Sequence, residues 1–257
     1  MRTPILAAAL GLSLVGCLVG DSGTASNGGG DDDTGSGSNT EGSGSNSNPT
    51  PKLDVSVDKP TIATDLFSTN MVTVTLAASG GFSGAVTLAA SAVDGAGAVL
   101  PGWTVTLDRS TVDVAANGTA TAVATVKVPS DAVAAQGMVK IDATSSLGAT
   151  TKMSTVNVAK QLTVNLTLNG TNCVYPAGMV GTVRVAQGTK IRWVNGDTTA
   201  NITIHVTEPR ITGLAHQQGA TPPGGAYEET VGAGTGTTDW YCHNRNNPNN
   251  MLIQAIP

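Results

Sequence analysis

Between residues 53 and 160 apolar and polar side chains alternate in short runs: LDVSVDK, MVTVTLAAS, GAVTLAAS, WTVTLDR, TATAVATVKV, MVKIDATSS and STVNVAK. A period of two over five to nine residues marks a strand with one face buried. About seven such runs, separated by Gly, Pro, Asn, Asp and Ser, predict a β-sandwich over residues 52–160. After residue 160 the same pattern resumes in QLTVNLTLNG, GTVRVAQGTKIRWVNGD, NITIHVTEP, AYEETV, TDWYCH and MLIQAI, which predicts a second β-domain over 161–257. No stretch has the spacing of an amphipathic helix, so the expected fold class is all-β.

The N-terminal residues follow a different pattern. Residues 1–17 read MRTPILAAALGLSLVGC, with a positive start at Arg2 and an apolar run over 5–15 that is too short to span a bilayer comfortably. Leu14, Val15, Gly16 and Cys17 resemble a bacterial lipobox, and the resemblance implies lipidation of Cys17 and anchorage to a membrane of the cell envelope. Leu18 after the cysteine points to the outer membrane by the same analogy. Residues 18–51 are rich in Gly, Ser, Asn and Asp and hold almost nothing to bury, so they are expected to form a disordered tether. A flexible chain of this length holds the first folded domain on the order of 30 Å from the lipid.

Composition narrows the range of functions. Charged residues make up 12% of the chain and its net charge is −5, so no basic face is available to neutralise nucleic-acid phosphates. Phosphate-binding loops, metalloprotease helix motifs and recognisable nucleophile–base pairs are missing from the sequence, and the expectation is a protein that is not an enzyme. Residues 52–160 contain neither His nor Cys, and Trp103 reads there as a core anchor. SGGFSGAVTL, GWTVTLDRSTVDVAANGTATAVATVKVPSDA and DATSSLGATTKMSTVNV resemble the immunoglobulin-like modules of bacterial surface proteins.

The chemistry-bearing residues collect in 161–257, which holds all three histidines together with Cys173 and Cys242. VRVAQGTKIRWVNGDTTANITIHV, the loop TPPGGAYEETV and WYCHNRNNPNNMLIQAI resemble the cupredoxins, Greek-key β-barrels built around a mononuclear copper. Such a centre joins one thiolate and two imidazoles near a plane, with a weak axial thioether. The resemblance implies Cys242 as thiolate and Met251 as axial ligand. The usual imidazole positions carry Asn201 and the run Asn244, Arg245, Asn246 and Asn247 instead. Three displaced histidines remain as candidates. His205 shares a strand face with Asn201 but lies about 13 Å further along it. His243 adjoins Cys242, and His216 belongs to a connection that can fold back.

The resemblance also implies a competing use of Cys242. In a cupredoxin-like barrel the connection carrying Cys173 lies at the same end as the Cys-to-Met loop, so a Cys173–Cys242 disulfide is open to this chain. That bond would consume the thiolate. A different metal site built from the displaced histidines is open as well, and two functions stand side by side. One is copper binding and electron transfer with a redox partner. The other is a non-catalytic surface protein, for adhesion or envelope architecture, whose second domain is held by the disulfide and binds no copper.

Overall fold

The computed structural model describes residues 49–206, 211–234, 236–243, 245–247 and 251–257. The lipobox with Cys17, and the tether up to residue 48, lie outside the described residues. Sixteen strands and no helix occur among those described. In chain order they begin with β1 (Lys52–Val57), β2 (Thr61–Leu66), β3 (Thr69–Ser79), β4 (Gly84–Val93), β5 (Thr104–Leu107), β6 (Thr111–Val114), β7 (Thr119–Lys127) and β8 (Gln136–Ser145). β9 (Gly148–Asn169) follows, then β10 (Asn172–Val174), β11 (Gly181–Ala186), β12 (Lys190–Asn195) and β13 (Ile204–Val206). β14 (Ala226–Thr230), β15 (Gly236–Cys242) and β16 (Met251–Ile256) complete the set.

Alternation decides which residues go inside. β3 buries Val72, Val74 and Leu76, β7 buries Ala122, Ala124 and Val126, and β8 buries Val139 and Ile141, while the residues between them face outward. One sheet runs β1-β3-β7-β5 and faces a second that carries β6, β4, β8 and the first part of β9. Trp103 is buried in their shared core.

The second half is a sandwich as well. The sheet β11-β16-β15-β13 faces the last part of β9 with β12 and β14. The Trp193 and Trp240 rings, one from each sheet, meet with centroids 4.3 Å apart and fill the middle of the core. Two parallel pairings, β9 with β12 and β11 with β16, set this half apart from a simple meander.

The runs STVNVAK and QLTVNLTLNG, expected as separate strands on either side of a boundary at 160/161, are one continuous strand of 22 residues, β9. The segment Ala159–Lys160–Gln161 between them holds no Gly, Pro, Asn or Asp, so nothing in it ends a strand. Thr155 is paired with both Met138 of β8 and Thr61 of β2, and Leu162 with both Leu66 of β2 and Ile191 of β12. β8 and β12 therefore succeed one another along one edge of β9, with β2 on the other.

The change of partner is made at a bulge. Asp65 is opposite Ala159 but Leu66 is opposite Leu162, which leaves Lys160 and Gln161 as extra residues on β9. Asp65 Oδ2 closes over the bulge, accepting from Gln161 Nε2 at 3.0 Å and Thr163 Oγ1 at 2.6 Å. Leu66 and Leu162 are buried beneath it, and the buried apolar residues of both halves form one contiguous cluster.

Because the core is continuous through Leu162, Leu162→Ala is expected to cost about 2–5 kcal/mol and to lower one shared unfolding transition. Urea unfolding followed by Trp fluorescence checks this in single-Trp variants that keep either Trp103 or Trp240. Two transitions with separate midpoints would contradict it.

Candidate metal centre

β13 and β15 run antiparallel, with Ile204 opposite Cys242, His205 opposite Tyr241 and Val206 opposite Trp240. Successive side chains of a strand point to opposite faces. Ile204, Val206, Trp240 and Cys242 accordingly point into the core and are buried, as are Met251 and Ile253 of neighbouring β16. His205 and Tyr241 take the outer face. The His243 N–H donates to Thr203 O at 2.8 Å, which continues the ladder by one residue and puts His243 on that outer face too.

The five candidate ligands are thus divided by the sheet itself. Cys242 and Met251 lie on its core side, and the histidines on the other. The sulfur of Cys242 is moreover bonded to that of Cys173, with their Cα atoms 6.1 Å apart. A disulfide sulfur is no thiolate, so the blue-copper set of Cys242, Met251 and two imidazoles does not fit this chain.

Local hydrogen bonds explain why the two cysteines meet. β10, short and absent from the sequence reading, lies beside the turn that follows Cys242. Cys173 N–H donates to Asn246 O at 2.9 Å, and Asn246 N–H to Thr171 O at 3.0 Å. Asn247 clamps the same turn from the other side. Its Oδ1 accepts from Cys242 N–H at 2.9 Å, and its Nδ2 donates to the carbonyls of Cys242 at 3.0 Å and Arg245 at 2.9 Å. An amide can satisfy both backbone groups of Cys242 where an imidazole would satisfy one at most. Asn201, at the other usual imidazole position, is exposed. Tyr175 completes the anchorage by donating its hydroxyl to Trp240 O at 2.8 Å, and burial pushes its phenol well above the ordinary range.

The three histidines nevertheless come together. His205 and His216 meet edge to face with ring centroids 3.6 Å apart, and His205 and His243 stack at 4.7 Å. One nitrogen from each of the three can be chosen so that all lie within 4.8 Å of one another. Gln217 sets the position of His216. β13 is an edge strand, and Gln217 supplies its missing partner. Gln217 Oε1 accepts from Ile204 N–H at 2.8 Å, and Gln217 N–H donates to Ile204 O at 3.2 Å. Its Nε2 donates to Thr221 Oγ1 at 2.8 Å.

The loop carrying His216 is pressed against the end of β14 at Gly213. Gly213 has φ +79°, and a Cβ there would stand 2.3 Å from Thr230 O, so no side chain fits. His216 Nδ1 lies 2.7 Å from Gln217 O, and because a carbonyl only accepts, this nitrogen carries the proton. Burial, followed by the neighbouring imidazoles of His216 and His243, holds the His205 pKa below its ordinary value. The sequence points to the histidines, and to Asn247 only as a residue at an imidazole position; it does not point to Gln217, whose role depends on Ile204, a strand partner 13 residues earlier.

No protein-family model matches the chain, and no curated protein matches it. Among solved structures it is similar to domains 4 and 5 of the S-layer protein SbsC, at 18% identity with a TM-score of 0.30 over 43% of this chain and 54% of that one. The chain thus spans about half the length of that fragment. It is also similar to a FixG-related protein from Vibrio parahaemolyticus, at 12% identity and a TM-score of 0.30 over 42% of this chain and 95% of that one. A third likeness is to the Salmonella enterica SafA pilin in complex with the SafB chaperone, at 11% identity and a TM-score of 0.30, covering 78% and 96% of the two chains. Likenesses this distant carry no argument about what the chain does.

The depressed His205 pKa has a definite sign in stability. The folded protein takes up a proton at His205 less readily than the unfolded chain, so stability is full above about pH 6.5 and falls as the pH drops below that value toward the folded pKa. His205 faces His216, His243 and Tyr241, none of which is a carboxylate that could offset the added charge. In metal-free protein the urea midpoint is expected to fall between about pH 7 and pH 5, and His205→Gln is expected to flatten that fall. Equal slopes in the two proteins would contradict this origin.

Proposed function

We propose that this protein is a non-catalytic, lipid-anchored protein of the bacterial cell envelope. On this reading Cys17 carries the lipid and residues 18–51 are the tether. An immunoglobulin-like sandwich and a cupredoxin-like sandwich that has given up its copper then present a surface for adhesion or envelope architecture. The observation that carries the reading is the Cys173–Cys242 bridge. It supports a compartment where disulfides persist, and it leaves no thiolate at Cys242 for an electron-transfer copper. The two parallel pairings of the second half and its pair of facing sheets support the cupredoxin-like reading.

The bridge closes a loop with a sequence separation of 69 residues. In the chain-entropy account such a closure contributes about 4 kcal/mol. Unfolded, unreduced protein is expected to show no titratable thiol, and Cys173→Ser/Cys242→Ser protein to be less stable to urea by about that free energy. Cys17→Ser is expected to release the protein from the membrane fraction and abolish labelling by a fatty-acid analogue. A free thiol at Cys173 or Cys242 would overturn the first part of the proposal, and unchanged membrane association of Cys17→Ser the second.

A further inference from the structure

We propose that His205, His216 and His243 form a binding site for a divalent transition-metal ion, Cu2+ or Zn2+, on the outer face of the β13–β15 ladder. The site is separate from the cupredoxin position on the core side of the same sheet, and it requires neither Cys242 nor Met251.

The donor set comes first. Three imidazoles with nitrogens within 4.8 Å of one another converge from three places in the chain: β13, the turn after β15, and the loop that covers the β13 edge. In a tetrahedral zinc site the nitrogens stand about 3.3 Å apart, as metal–nitrogen bonds of 2.0–2.1 Å require. His243, the exposed ring and the one farthest from His216, is the one that has to move to close the difference.

Two of the rings are prepared in a way that a surface cluster is not. His216 spends its Nδ1–H on the carbonyl of Gln217, which leaves the Nε2 lone pair for a ligand. A backbone acceptor behind the second ring nitrogen is how metal-bound histidines are generally held. Gln217 is in turn tied through two hydrogen bonds to Ile204, the residue before His205, so the positions of the two rings are set by one another. His205 Nδ1 is buried, and no hydrogen bond of good geometry reaches it. An unpaired buried nitrogen is costly, and a metal ion or a proton donor relieves that cost.

The chemistry of the donors selects the ion. Three neutral nitrogens with no carboxylate among them disfavour Mg2+ and Ca2+, which take oxygen ligands. Imidazoles suit Cu2+ and Zn2+, with Cu2+ the tighter by the usual order of affinities. Three protein ligands leave a further position open on the exposed side, where His243 faces solvent, for water or for a donor on a partner's surface. Because no thiolate takes part, bound Cu2+ gives only weak ligand-field absorption and not the intense charge-transfer colour of a blue-copper protein.

Calorimetric titration of the oxidised full-length protein in detergent, with Cu2+ alone and with Zn2+ alone, tests the site. One equivalent of each ion is expected to bind. Each of His205→Gln, His216→Gln and His243→Gln should weaken binding about 10- to 100-fold or more. Circular dichroism of each variant in a chelator establishes that it is folded, and Asn201→Gln is the control expected to leave binding unchanged. The proposal is overturned if neither ion binds tighter than about 1 mM, if binding survives the triple His→Gln variant, or if Cu2+ produces intense charge-transfer absorption. That last result would mean a thiolate ligand, and would overturn the disulfide reading as well.

Discussion

The organisation of the second half rests on the two-residue period of β15. In Trp240, Tyr241, Cys242 and His243 every second side chain belongs to the core and the others do not. The backbone of the sheet, hydrogen-bonded on both sides, lies between the sulfurs and the imidazoles. A centre that needs both kinds of donor would have to break the ladder to bring them together. The chain keeps the ladder and uses its two sides for different ends, a covalent bridge within and a nitrogen cluster without.

Much of this could be read from the sequence because strands with one buried face record their period directly. The alternation in MVTVTLAAS and TATAVATVKV corresponds closely to β3 and β7, and Trp103 is buried as its aromatic bulk suggested. The short strands β2, β6 and β10 are not legible in the sequence, since TIATDL alternates poorly, TVDV lies between turn residues and NCV is only three residues long. β10 mattered most, since its pairing beside the turn at Asn246 brings Cys173 to Cys242. The spacing of Cys242 and Met251 pointed to a ligand loop, but whether a cysteine is free depends on a strand about 70 residues earlier in the chain.

The histidine cluster was half legible. That the three residues lie in one domain is plain from the sequence, and the shared face of residues 201, 203 and 205 follows from strand geometry. That His216 comes back over His205 depends on Gln217 serving as the missing neighbour of an edge strand. No composition rule signals that role. The first of the two adjacent glutamines in GLAHQQGA, Gln217, looks in the sequence like any polar loop residue. Gly213 carries more of a signal, since only glycine tolerates the approach of Thr230 O, yet its partner again comes from another part of the fold.

β9 also has a mechanical meaning. Two modules joined by a linker can swivel, and a pull between them first straightens the linker. Here the join is the middle of a strand, flanked by parallel neighbours on both edges and closed by Asp65. A load drawn between the halves runs along the covalent backbone of β9 and strains the β2 and β12 ladders in shear, so that many hydrogen bonds resist together. Among the described residues the two halves meet within this one strand and its continuous core, with no linker between them.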